Sequence, residues 1–276
     1  MSEANDWQAI GHGRTADIMA HAADAETVVK LFKPFIPQTD VEREYAAGRW
    51  LRGQDIATPA ALGLVRIDGR LGIRYTRAAG VPLLRLMLEQ PLQLEPLSRR
   101  MAALHIRVHA CDGAGMGIRQ KEVLAAGIRR CERLDAQERQ ALLRLLERLP
   151  EEQALCHGDY HPDNIMAGAQ DVVLDWMNGM SGSPAGDAAR TWLLLKYGAP
   201  PEHASEAESR QLQAARETIR EAYLAEYIRL SGRGKAEIAQ WLLPVAAQRL
   251  TEGIPEPEKE AIARMIRQRL QEAPSG

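Results

Sequence analysis

Residues 155–166 read LCHGDYHPDNIM, and residues 171–178 read DVVLDWMN. The first stretch packs two histidines, two aspartates, an asparagine and a proline between apolar neighbours, Leu155 on one side and Ile165–Met166 on the other. Asp and Asn favour turns, so any one of these residues alone fits a solvated loop. A solvated loop accounts for neither the spacing nor the flanks. Asn164 follows Asp159 by five positions, and Asp175 follows Asn164 by eleven, directly after the apolar run Val172–Leu174. Such offsets between apolar segments point to a site supported by a core.

The rest of the chain bounds what that site serves. Its 276 residues suffice for one large domain or two lobes. With 45% apolar and 26% charged residues the chain is ordinary globular protein. A net charge of -2 gives no electrostatic case for nucleic acid or an anionic membrane as partner. Cys111, Cys131 and Cys156 are odd in number and form no C-x-x-C pair, which argues against a disulfide framework and for a reducing, cytoplasmic location. The opening residues MSEANDWQAIGHG carry neither the basic nor the apolar region of an export signal, and no apolar run approaches a membrane span.

Working outward, residues 7–33 read as strands, with a Gly-rich turn in WQAIGHGRTADIMAH and a β-branched run, ETVVKLFKP, stopped by Pro34. TDVEREYAAGRWLRGQ reads as a helix with Thr39 or Asp40 as N-cap and Val41, Tyr45 and Leu51 on one face. ALGLVRIDGRLGIRYTRA reads as a hairpin about Asp68–Gly69. Past Gly80 and Pro82 the texture turns helical, interrupted by the polar loop and the strand DVVLDW. DAARTWLLLKYG should be a helix with Asp187 as N-cap, and Pro244 should bend or divide KAEIAQWLLPVAAQRL. The expected organisation is α+β: a β-rich lobe over residues 1–79, a hinge near 76–82, and a helical lobe over 80–276.

The Asp159, Asn164, Asp175 spacing matches the template for phosphoryl transfer, with a catalytic-loop Asp, an Asn five positions on and a later Asp that holds magnesium. Mg²⁺ takes hard oxygen ligands and keeps several waters, so one carboxylate (Asp175) and one amide oxygen (Asn164) suffice beside nucleotide phosphates. Asp159 then orients the acceptor hydroxyl. A carboxylate cannot deprotonate an alcohol beforehand, but in a loose transition state the proton leaves late, and positioning is the main task.

HGDYHPDNIM followed by VVLDWMNGMSGSPAGDAARTWLLL resembles the aminoglycoside phosphotransferase and choline kinase-like enzymes, relatives of protein kinases; His157, Gly158, Asp159, Asn164, Asp175, Pro184 and Asp187 match. The resemblance implies a two-lobed protein-kinase-like fold and an ATP-dependent transfer (GTP being the alternative) to a hydroxyl of an aminoglycoside-, choline- or sugar-like small molecule. It implies Mg²⁺ on Asn164 and Asp175, with Asp159 as base. Gly11 and Gly13 in IGHGRTADIMA resemble the nucleotide-covering turn, although an ordinary hairpin also suits them. Lys30 resembles the lysine that touches the α- and β-phosphates, and Glu44 its helix partner, with Lys33 and Glu42 as competitors. Asp163 stands where the family commonly has Gly, and it either ligates or faces water.

Other features invite less. His105 and His109 lie four apart, but no Glu follows His105 and no third zinc ligand is fixed by spacing, so hydrogen-bonded histidines packed under the loop are expected. Glu202, Glu206 and Glu208 offer carboxylates to a polycation, and Tyr197, Tyr223, Tyr227 and Trp241 offer a cage for a quaternary amine. Solvated charges and core aromatics explain these as well. The rival function is a catalytically silent nucleotide-binding module acting through a partner; a silent chain is free to lose the three residues that this one keeps.

Overall fold

The computed structural model describes residues 6–200 and 205–272, which places Glu202 outside the described residues. In chain order the elements are β1 (Trp7–His12), β2 (Ala16–His21), β3 (Asp24–Phe32), α1 (Gln38–Leu51), β4 (Ala61–Ile67), β5 (Arg70–Thr76), β6 (Val81–Pro82), α2 (Leu83–Glu89), α3 (Leu94–His109), α4 (Gln120–Arg130) and α5 (Ala136–Arg148). They continue with β7 (Ala154–Cys156), β8 (Ile165–Ala167), β9 (Val172–Val173), β10 (Met180–Gly182), α6 (Pro184–Tyr197), α7 (Glu206–Ser231), α8 (Lys235–Arg249) and α9 (Glu256–Glu272). The fold is α+β. Two compact units divide it, one of Met1–Pro82 with Asn164–Asn178, the other of Leu83–Asp163 with Gly179–Gly276.

The first unit is built on an antiparallel sheet in the order β1-β2-β3-β5-β4. Asp68 and Gly69 both take positive φ, 48° and 78°, the geometry that the tight β4–β5 hairpin needs. Alternation along β3 sorts its side chains onto two faces. Val29 and Leu31 pack with Ile67, Trp7, Met19 and Val65. Phe32 packs on the other face with Ala16, Val41, Ala61 and Ile73, and Tyr45 of α1 joins that cluster. Parity therefore puts Lys30 on the α1 side. Helix α1 begins at Gln38 with Pro37 at its N-cap and no side-chain cap, so neither Thr39 nor Asp40 caps it. The cause is proline's φ of -59°, which presets the entry to the helix.

Residues 164–178 complete this unit. β8 pairs with β6 and β9, and the Val173 amide donates to the Ala57 carbonyl at 2.9 Å. The run expected to be one strand across DVVLDW is regular only over Val172–Val173, because Asp175 turns into the left-handed region at φ 57°. Gly80, at φ 111°, passes so close to β8 that a Cβ would stand 2.3 Å from the Ala167 oxygen, and only glycine fits there.

The second unit is helical around a two-stranded β7–β10 pair. α3 packs along α7, and α6 lies against α7 and α8. Tyr223, Tyr227 and Trp241 are buried in this core, which removes them from any exposed cage; Tyr197 is half-buried. Pro244 does not divide α8, which runs unbroken from Lys235 to Arg249. Burial of Trp241, Leu242, Val245 and Ala246 outweighs the single hydrogen bond that proline forfeits, since each large apolar side chain contributes about 1.5–3 kcal/mol. Asp187 is not an N-cap either. α6 starts three residues earlier, with Pro184 in the favoured first position, and Asp187 is free to turn elsewhere.

Candidate active site

In the first unit, Lys30 on β3 lies beside two acids. Its Nζ donates to both Glu44 oxygens at 2.9 and 3.0 Å and to Asp175 Oδ1 at 2.7 Å. Glu44 sits on the buried face of α1 and also accepts from the Tyr75 hydroxyl at 3.0 Å. Burial alone would pull the Lys30 ammonium down, but Asp175 and Glu44 hold it above its ordinary value. Burial pushes the Glu44 carboxyl up, against the pull of Lys30. Two carboxylates and one ammonium meet in this cluster, and carboxylate oxygens are hard donors of the kind a divalent cation takes.

The competing pair does not form. Lys33 falls on the opposite parity and donates to Asp17 at 2.7 Å, where Arg70 and His12 also bind. Glu42 is exposed and accepts from Gln38. Asn164 is tied to the segment of Asp175, because its carbonyl accepts from the Leu174 amide at 2.9 Å. Trp176 pins that segment by donating from Nε1 to Thr58 Oγ1 at 3.0 Å. A non-glycine residue at positive φ stores on the order of 1–3 kcal/mol, and Asp175 holds that strain where its carboxylate meets Lys30. Gly11 lies on β1 across from Ile18, and Gly13 opens the β1–β2 turn, its amide donating to the Ala16 carbonyl at 2.8 Å. Asp163 lies in a single helical turn, Pro162–Asn164, with its side chain exposed.

In the second unit, Asp159 ends a tightly held turn. Gly158 before it takes φ 75°. Asp187, fully buried on α6, accepts from the His157 amide at 2.6 Å and the Gly158 amide at 2.8 Å. The same carboxylate accepts from His105 Nε2 at 3.0 Å and His109 Nε2 at 3.2 Å. His105 Nδ1 lies 2.7 Å from the Tyr223 hydroxyl and His109 Nδ1 2.9 Å from that of Tyr227. The histidines thus stand as hydrogen-bonded supports beneath the loop. Tyr160, stacked on His105, anchors the turn by donating to the Met101 carbonyl at 2.8 Å.

Asp159 itself stays ionised. Burial pushes its carboxyl up, but His161 at 3.6 Å, Arg190 at 3.5 Å and Arg249 together hold it below the usual carboxylate range. An ionised carboxylate only accepts hydrogen bonds, which is what orienting a hydroxyl requires. The sequence offered no motif for Tyr75 or Arg190. The available signal was that Arg190 lies three residues after Asp187, on the same helical face.

The fold joins a small sheet and a large helical part, with a lysine–glutamate–aspartate cluster in the first unit and an anchored aspartate in the second. The model of the phosphotransferase enzyme family matches residues 6–241, and the chain belongs to that family as a small-molecule kinase. Solved structures share its fold. A thermostable mutant of aminoglycoside phosphotransferase APH(4)-Ia, in ternary complex with AMP-PNP and hygromycin B, is 14% identical with a TM-score of 0.69, over 99% of this chain and 95% of that one. The GDP and kanamycin complex of APH(2")-IIia is 15% identical with a TM-score of 0.56, over 98% and 95%. APH(3'')-Id from Streptomyces rimosus is 19% identical with a TM-score of 0.54, over 89% and 93%. No curated protein matches by sequence. Among the described residues no helix is long and apolar enough to cross a membrane.

Proposed function

We propose that this kinase transfers the γ-phosphate of ATP, or of GTP, to a hydroxyl of a small molecule. The observation that carries the reading is the cluster of buried Lys30 and Glu44 with half-buried Asp175. Lys30, oriented by Glu44, meets the α- and β-phosphates, and the end of β1 with its following turn, carrying Gly11 and Gly13, covers them. The donor set fits magnesium: Asp175 offers a carboxylate oxygen and Asn164, whose backbone is tied to the Asp175 segment, an amide oxygen, both hard ligands. When bound, the ion neutralises phosphate charge. Asp159 accepts the acceptor's hydroxyl proton and fixes its line of approach, a role supported by its ionised state.

Two features once compatible with particular acceptors have other employment. Glu208 closes the capping box of α7 with Ser205, and Glu206 faces Arg210. Tyr223, Tyr227 and Trp241 are core. The acceptor is best found directly, by incubating the protein with Mg²⁺ and γ-labelled ATP or GTP across aminoglycosides, choline analogues and sugars. Label should pass to at least one hydroxyl compound with the wild type. Failure of both nucleotides to bind would contradict the proposal.

A further inference from the structure

We propose that Arg190 is the positioning residue for Asp159: from inside α6 its guanidinium holds both the Gly158 carbonyl and the Asp159 carboxylate, and so fixes where that carboxylate points. The inference rests on the reading of Asp159 as the group that aligns the acceptor. Arg190 is buried, and its Nε donates to the Gly158 carbonyl at 3.1 Å. Nη2 stands 3.5 Å from Asp159 Oδ1. One turn earlier on the same helix, Asp187 takes the Gly158 amide. α6 therefore grips both polar ends of the residue that precedes Asp159, one with an acid and one with a base. That residue sits in the left-handed region, where an ungripped glycine has the most freedom to move.

The arginine is itself held. Its Nη2 lies 2.8 Å from Glu252 Oε1, and Nη1 lies 3.5 Å from Gln248 Oε1. Arg249 bridges Glu252 to Glu258, donating to Glu258 at 2.9 Å. Charges alternate along Asp159, Arg190, Glu252, Arg249 and Glu258, so the guanidinium cannot swing without breaking partly buried pairs. His161, another neighbour of Asp159, comes from the loop and is less buried than Arg190. A planar fork held on both sides sets direction in a way that a flexible point charge does not.

The bland alternative is that Arg190 merely joins α6 to the end of α8. A double-mutant cycle separates the two. The probe is Mg²⁺ with ATP, water serving as acceptor, measured for wild type, Arg190→Gln, Arg190→Lys, Asp159→Ala and the Asp159→Ala/Arg190→Gln pair. Arg190→Gln should lower kcat by about tenfold or more, with KM for ATP changed by less than about twofold. Arg190→Lys should recover part of the loss, and Arg190→Gln should cost nothing more once Asp159 is gone. Equal losses in both backgrounds, or a change confined to KM, would overturn the inference.

If Arg190→Gln is poorly folded, Arg190→Gln/Glu252→Gln matches the lost cation with a lost anion while Arg249 keeps its pair with Glu258, and it should melt near the wild type while kcat stays low. A second readout is the Asp159 carboxyl signal in protein carrying ¹³C-labelled aspartate. Arg190→Gln should raise the pH at which that signal titrates, since burial then acts with less opposition. An unmoved signal in a folded variant also overturns the inference. Undiminished turnover in Asp159→Ala, with the signal still moved by Arg190→Gln, would instead strike the proposed role of Asp159 and leave the contact intact.

Discussion

Asp159→Ala lowers phosphoryl transfer by about 10²–10⁴-fold while the affinity for nucleotide stays near that of the wild type. The two halves of that outcome have separate causes. Asp159 lies in the helical unit, in a turn anchored by Asp187, whereas the cluster assigned to the phosphates lies in the sheet-bearing unit. Truncating the carboxylate removes the acceptor's guide and touches neither Lys30 nor Glu44. Transfer rates with the acceptor found by the screen, beside calorimetric nucleotide binding, read both halves. Unchanged transfer would refute the role, and lost binding with lost transfer would assign Asp159 to the nucleotide instead.

Asp187→Ala destabilises the protein by about 3–5 kcal/mol, the cost of breaking a buried charged network. Four groups lose their acceptor together: two backbone amides and the Nε2 atoms of His105 and His109. Denaturant unfolding checks the magnitude, and activity should fall with it because the turn before Asp159 is released. The same network sets the acid limit of the fold. Burial, aided by the neighbouring His109, pushes the His105 imidazole down to about 3, against the pull of Asp187. A histidine held neutral in the fold takes up a proton on unfolding, so its contribution is complete above about pH 6.5 and falls as pH drops toward 3. Asp187, held well below the ordinary carboxylate value, loses its contribution only at lower pH, below about 3.9. Stability should therefore decline by roughly 1.4 kcal/mol per pH unit through the His105 window. In His105→Gln that decline should be largely absent.

The spacing of Asp159, Asn164 and Asp175 is a chain property, legible as such, and the structure spans it with one helical turn and two short strands. Strand parity around Lys30 was legible too, and it separates Lys30 from Lys33 once α1 is known to cover the Phe32 face. The helix entries were not. Thr39 and Asp40 have the right side chains for a cap, but Pro37 fixes the backbone before they are reached. Asp187 likewise has a cap's chemistry and lies one turn too late, because Pro184 starts α6. Pro244 reads as a breaker only until the burial on both sides of it is weighed. Long-range partners such as Tyr75 for Glu44, or Arg190 for Asp159, depend on packing that no local pattern encodes.

Asp175 and Asn164 are proposed to serve a metal-bound triphosphate beside Lys30. Titration of ATP into the wild type and into Asp175→Ala, each with Mg²⁺ and with EDTA, tests this most directly. Mg²⁺ should tighten ATP binding to the wild type by about tenfold or more and leave Asp175→Ala nearly unaffected. Equal affinity with and without the metal, in wild type and variant alike, would contradict it.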